Sequence, residues 1–169
     1  MRKGRFMPPK KQIFKEQIID TALKMVQKDG YDLLTARKLA KELSCSTQPI
    51  YQAFANMSEL KKELIKKAKE TIVAYLLESN EKQLPKELQY IFSYIQFAKV
   101  EKHLFQLIFT SGELNIWNEL NLSDIELDIH MIVYANGIIM MQAFQALPDS
   151  DEWLKEMLLQ AYALLRSNK

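Results

Sequence analysis

The stretch TARKLAKELSCSTQPIYQAF, residues Thr35–Phe54, decides how this chain is read. Thr35 has the side chain of a helix N-cap, and a short helix is expected behind it from Ala36 to Leu43. Leu39, Ala40 and Leu43 give that helix an apolar face, while Arg37, Lys38 and Lys41 line its other side. Ser44-Cys45-Ser46 breaks the pattern. Ser46 is suited to cap a second short helix, Thr47 to about Ala55, with Pro49 in the first turn where its missing N–H does no harm. Ile50 and Phe54 form an i, i+4 apolar pair pointing inward, which leaves Thr47, Gln48, Tyr51 and Gln52 outside. Two short helices with a tight break, apolar within and hydrogen-bonding without, form a helix-turn-helix.

Working outward, a first helix is expected from about Lys11 to Lys28. Phe14, Ile18, Ala22 and Met25 fall on one stripe, with Ile19, Leu23 and Val26 beside it. Asp29-Gly30 stops it, with Gly30 suited to a left-handed terminal position. Tyr31 and Leu33 are expected to fold back onto the core. Behind the motif, Ser58 or Asn56 can cap a long helix from about Glu59 to Glu78, with a seam of Leu60, Leu64, Ala68 and Ile72. Further helices are expected at Pro85–Lys99, Glu101–Phe109 and Glu113–Leu120. A long apolar one opens at Ser123 or Asp124 and runs to Ala146, and a last one spans Glu152–Ser167 behind Asp149 to Asp151. The fold class is all-α.

The chain has 169 residues, 4 Gly, 5 Pro and 48% hydrophobic residues, enough to bury a sizeable core. No segment approaches the roughly 18 apolar residues of a membrane span. Nothing resembles a signal peptide, and the single cysteine, Cys45, excludes an intramolecular disulfide, so a cytoplasmic protein is expected. The net charge of +2 hides an asymmetry: residues 1–70 hold 16 of the 23 basic and 8 of the 21 acidic residues. That half is strongly basic and the remainder is acidic, as expected of a chain with two jobs. Arg2, Lys3, Arg5 and Lys10, with Pro8 and Pro9, read as a basic arm of the kind that lies along DNA or remains a free tail.

A helix on such a brace fits the major groove of DNA, with the preceding helix across the phosphate backbone. Thr47, Gln48 and Gln52 suit base edges, and glutamine can bond adenine through two hydrogen bonds. Tyr51, Thr35, Arg37, Lys38 and Ser46 suit phosphates and register. The start of the fourth helix near Ser58, with Lys61 or Lys62, suits another phosphate.

These residues resemble the DNA-binding domain of the TetR family of bacterial regulators. The resemblance covers about Ile13 to Leu64 and rests on Ile18 and Ala22, Gly30-Tyr31, Thr35-Ala36-Arg37, Leu39-Ala40, Ile50-Tyr51, Phe54 and the "SEL" at Ser58. Ser44 stands where the family commonly has glycine, and Met57 where many members have lysine. The resemblance implies a helix-turn-helix domain, residues 1–58, followed by a helical ligand-binding and dimerisation domain, residues 59–169. It implies a homodimer through 124–146 and 152–167, double-stranded operator DNA of palindromic form as partner, and release by a small apolar or amphipathic effector. Excess apolar surface in the last two helices agrees with self-association.

Candidates for lining an effector pocket are Phe92, Ile95, Phe105, Phe109, Trp117, Met131, Tyr134 and Met140, with Tyr94, His103 and Asn136 as polar contacts. The same residues also fit an ordinary core. Glu126 and His130 share a helix face, but two ligands do not make a metal site, and no metal or cofactor is expected. Cys45 reads as a small buried residue, the alternative being a thiol activated by the following helix. No Gly-rich phosphate loop and no Ser/His/Asp arrangement speaks for an enzyme. The rival reading is an all-helical interaction module that keeps the helix-turn-helix only for packing.

Overall fold

The computed structural model describes residues 13–78, 81–113, 116 and 128–167. The basic arm, the expected helix over 113–120 beyond Glu113 and Ile116, and the opening of the long apolar segment at 124–127 lie outside the described residues. The described residues are helical, without a strand among them. They divide into two compact units between Leu64 and Ile65.

In the first unit, α1 spans Lys15–Asp29 and buries Ile18, Ile19, Ala22 and Val26. It begins after the expected Lys11, because Gln17 reaches back and accepts the amide of Phe14 at 3.1 Å, fixing the first turn there. Phe14 itself is exposed. Gly30 ends the helix at φ 83° and ψ 160°, a region essentially restricted to glycine. A single 3-10 turn follows, Tyr31–Leu33. Its tighter winding turns Leu33 out to solvent and buries Leu34, against the expectation that Leu33 packs inward.

Helix α2 spans Ala36–Glu42, capped by Thr35, whose Oγ1 accepts the amide of Lys38 at 3.2 Å. Its end is a Schellman motif: Cys45 donates to the carbonyl of Ala40 at 2.9 Å and Ser44 to that of Lys41 at 3.0 Å. Ser44 accordingly has φ 54°. Helix α3 spans Gln48–Ala53. Its N-cap is Thr47, without a side-chain bond, so Ser46 does not play the expected capping part, and the helix stops short of Ala55 because Phe54 is already extended.

Helix α4 spans Met57–Leu77. Asn56 rather than Ser58 caps it, accepting the Glu59 amide at 3.0 Å, while the Glu59 carboxylate accepts the Ala55 amide at 2.7 Å. The first turns of α4, to Leu64, belong to the first unit and the rest to the second. Leu60, Leu64, Ala68 and Ile72 are all buried, as their seam requires.

The second unit adds α5 (Lys86–Val100), α6 (Lys102–Ser111), α7 (Ile129–Ala143) and α8 (Asp151–Ser167). Pro85 precedes α5, and Gly112 closes α6 in the left-handed region at φ 75°. Helix α5 is the central element, burying Leu88, Ile91, Phe92, Tyr94, Ile95, Phe97 and Ala98. Helix α7 is capped by Asp128, whose carboxylate accepts the His130 amide at 2.9 Å, so the helix starts later than Ser123 or Asp124. It also stops before Ala146, in a second Schellman motif with Gln145 at φ 56°: Ala146 donates to Met141 and Gln145 to Gln142, each at 2.9 Å. At the start of α8, Ser150 accepts the Trp153 amide at 3.2 Å.

Candidate nucleic-acid interface

The candidate surface is built on α2 and α3. Leu39, Ala40, Ile50 and Phe54 are buried, and this inner face fixes the rotation of both helices. Rotation decides what is left outside. Gln48, Tyr51 and Gln52 are exposed along α3, and Thr47 is half-buried at its start. Tyr51 keeps 53% of its surface open. Thr35, Arg37, Lys38, Lys41 and Ser46 are also exposed. The Thr35 hydroxyl oxygen is engaged in the cap, but its proton is left to donate to an acceptor.

At the start of α4, Ser58 and Lys62 are exposed and Lys61 is half-buried. The Lys61 ammonium lies 4.5 Å from the centroid of the Tyr31 ring, a cation–π contact that ties α4 to the 3-10 turn. Burial, and secondarily the Asp32 carboxylate, raises the Tyr31 phenol above its usual range, so the ring stays neutral under the lysine. The Glu59 carboxylate already places an anion at the start of α4. Of the two lysines there, Lys62 is the more exposed.

Sequence reasoning missed one constellation. Lys15 pairs with Glu63 at 2.8 Å, and its ammonium lies 5.0 Å from the centroid of the Phe54 ring. The hydrogen bond that Lys15 donates to Glu63 raises the Lys15 pKa. One side chain thus ties the start of α1 to the end of α3 and to α4. Nothing local in the sequence signals a pair 48 residues apart. Cys45 is a half-buried thiol.

Residues 18–64 match the family model described as bacterial regulatory proteins, tetR family. The match covers most of the first unit and none of the second. The fold of the chain is similar to that of a solved structure from Vibrio parahaemolyticus described as a TetR-family transcriptional regulator protein, with a TM-score of 0.52 and 13% identity over 86% of this chain and 94% of that one. No curated protein matches the chain.

The effector-pocket candidates are spread through the second unit. Phe92, Ile95, Phe105 and Met131 are buried, Tyr134 is half-buried, Phe109 and Met140 are exposed, and Trp117 lies outside the described residues. Tyr94 and Asn136 do come together: the phenol donates to Asn136 Oδ1 at 3.0 Å, and Asn136 Nδ2 donates to the Ile132 carbonyl at 2.9 Å. His103 is half-buried. An open groove of about 440 Å³ runs along one face of α4, lined by Lys67, Glu70, Thr71, Ala74, Tyr75 and Glu78. None of the candidates lines it. Glu126 lies outside the described residues, and His130 Nδ1 is instead 2.7 Å from Asp128. No cluster of metal ligands occurs among the described residues, and no described helix is long and apolar enough to cross a membrane.

Proposed function

We propose that this chain is a DNA-binding transcriptional regulator of the TetR family, a cytoplasmic, ligand-responsive repressor that binds a palindromic operator as a homodimer. The observation that carries the reading is the outer face of α3. A helix-turn-helix kept only for packing has no need to present Gln48, Tyr51 and Gln52 together on one exposed side of a helix whose other side, Ile50, is buried. In this reading Thr47, Gln48 and Gln52 meet base edges, and Tyr51, Thr35, Arg37, Lys38, Ser46 and Lys62 meet phosphates, with Ser58 and Lys61 beside them.

Self-association is supported by α7. Ile129, Val133, Met140 and Met141 are exposed along it, and Phe144 just beyond its end is 76% exposed. An apolar stripe of that length on one helix is expected to be covered, and a second copy of the same helix covers it with two-fold symmetry. Leu159 and Leu164 extend the exposed apolar surface on α8. Two reading helices held in this way address a palindrome. The effector, of small apolar or amphipathic class, would enter the aromatic and methionine-rich core around Phe92, Phe105 and Met131, and act by favouring a spacing of the reading helices that fits the operator poorly.

Selection of bound DNA from a random pool tests the reading in one step. The expected product is a palindrome with half-sites about one helical turn or slightly more apart. Recovery of no sequence preference would sink it.

A further inference from the structure

The side chains that α3 presents limit which bases it can read. The helix, QPIYQA, has neither a cation nor a carboxylate. Guanine is most often read by arginine or lysine through O6 and N7, and the amino group of cytosine by aspartate or glutamate. Helix α3 holds none of these. Thr47, at its start, makes no capping bond, and a hydroxyl that both donates and accepts suits any base edge, so it discriminates little.

Gln48 and Gln52 are left. Both are exposed, and neither amide has a hydrogen-bond partner among the described residues. Elsewhere Gln17, Gln89 and Gln96 engage theirs within the chain, on Phe14, Leu84 and Asp151. A free amide offers an acceptor and a donor side by side, the complement of the adenine amino group and N7. The buried Ile50 and Phe54 fix the rotation of α3, so the two glutamines share its outer side. Residues four apart on a helix have Cβ atoms about 5–6 Å from each other. That is between one and two base-pair steps of about 3.4 Å.

From this side-chain set and spacing we infer that the operator half-site carries two A·T pairs within three consecutive base pairs, and that Gln48 and Gln52 each hold one adenine in the major groove. Oε1 accepts from the adenine amino group and Nε2 donates to N7. The inference rests on α3 as the reading helix and names the bases that it reads. The exposed Arg37, Lys38 and Lys62 supply affinity that is blind to sequence, and the two glutamines supply the discrimination.

The test uses the full chain and the DNA that it selects from a random pool. Along one half-site, each A·T pair is replaced by G·C, and each adenine by 7-deazaadenine, which pairs normally but lacks the N7 acceptor. Two positions, one or two steps apart, are expected to lose about 5- to 150-fold in affinity with G·C and part of that with 7-deazaadenine. Gln48→Ala is expected to abolish the discrimination at one of them and Gln52→Ala at the other, with circular dichroism as the control on folding. Guanines at the positions that these variants relax overturn the adenine assignment and leave α3 as the reading helix. An A·T preference untouched by 7-deazaadenine overturns it too, since DNA shape and not a pair of hydrogen bonds is then being read. If both variants keep the full discrimination of the unaltered chain at every position, or the pool yields no preferred sequence, the reading of α3 fails and the adenine proposal falls with it.

Discussion

The amide of Cys45 donates to the carbonyl of Ala40 across 2.9 Å, and that bond closes a turn that Ser44 enters only in the left-handed region, at φ 54°. The break between α2 and α3 is thus a helix C-cap that carries serine where glycine is favoured. A non-glycine side chain in this conformation costs roughly 1–2 kcal/mol, part of which glycine returns through its greater freedom in the unfolded chain. Ser44→Gly is expected to stabilise the protein by about 0.5–1 kcal/mol, read by urea unfolding followed by circular dichroism. Gln145 stands in the same geometry at the end of α7, at φ 56°. Gln145→Gly should give a similar gain, and the two gains should add because the turns share no partners. A loss of stability at Ser44 would show that its hydroxyl does something the backbone bonds do not.

The second prediction separates reading from folding. Gln48→Ala with Tyr51→Ala removes two exposed side chains and is expected to abolish sequence-specific binding while changing stability by less than about 1 kcal/mol. Ile50, one turn face away, is 1% exposed, and Ile50→Ala should cost about 2–5 kcal/mol. If the double variant protects the same DNA, α3 is not the reading helix.

Much of this arrangement is legible in the sequence, for a physical reason. The cap at Thr35 and the inward pair Ile50 and Phe54 depend on spacing within one or two turns, which local pattern reports. The start of α7 is not legible in the same way. Ser123, Asp124 and Asp128 are all cap-type residues, and local pattern does not rank them. Leu33 and Leu34 differ by one position, and a 3-10 turn, with its shorter period, exchanges which of them is buried. The tie from Lys15 to Glu63 spans most of the domain and has no local signature at all.

The start of α4 gives a third prediction. Asn56 and Glu59 accept the amides of Glu59 and Ala55. Asn56→Ala should destabilise by about 1 kcal/mol through loss of the cap. Glu59→Gln keeps an acceptor for Ala55 but removes the anion from the helix start. It should therefore tighten DNA binding, most visibly at low salt, where exposed charges are screened least. Weaker binding by Glu59→Gln would mean that the carboxylate orients the protein on DNA by holding the turn, rather than opposing phosphate.

Self-association is tested on α7. Val133 is 64% exposed, so Val133→Glu should leave the monomer folded, yet place a charge on the proposed interface. The expected result in sedimentation is a shift from dimer to monomer, with loss of binding to a palindrome and residual binding to a half-site. Gly137 lies on the same stripe, and a Cβ built there meets nothing within 4 Å. Gly137→Ala should therefore stabilise a monomeric background by up to about 1 kcal/mol through helix propensity. Persistence of the dimer in Val133→Glu would move the interface away from this face.

The last prediction concerns the polar bridge in the second unit. Tyr94 is fully buried and donates to Asn136 Oδ1. Tyr94→Phe leaves that oxygen without the phenolic donor in an apolar surround, and should cost about 1–3 kcal/mol near neutral pH. Burial raises the phenol far above its usual pKa of 10.0, and the bond to Asn136 offsets only part of that. The sign follows: above pH 10 the unfolded chain gives up the Tyr94 proton while the folded chain keeps it. The folded state then binds more protons, so stability falls as pH rises, by up to about 1.4 kcal/mol per pH unit for this group. Below pH 10 the contribution is fully present. Tyr31 and Tyr162 are raised by burial as well and add to the alkaline slope of both proteins. The stability gap between the unaltered chain and Tyr94→Phe should therefore be constant from pH 7 to 9 and narrow above pH 10, in urea titrations at each pH. A gap that stays constant through the alkaline range would mean that Tyr94 ionises as readily in the folded chain as in the unfolded one, and that the bridge to Asn136 opens before the protein does.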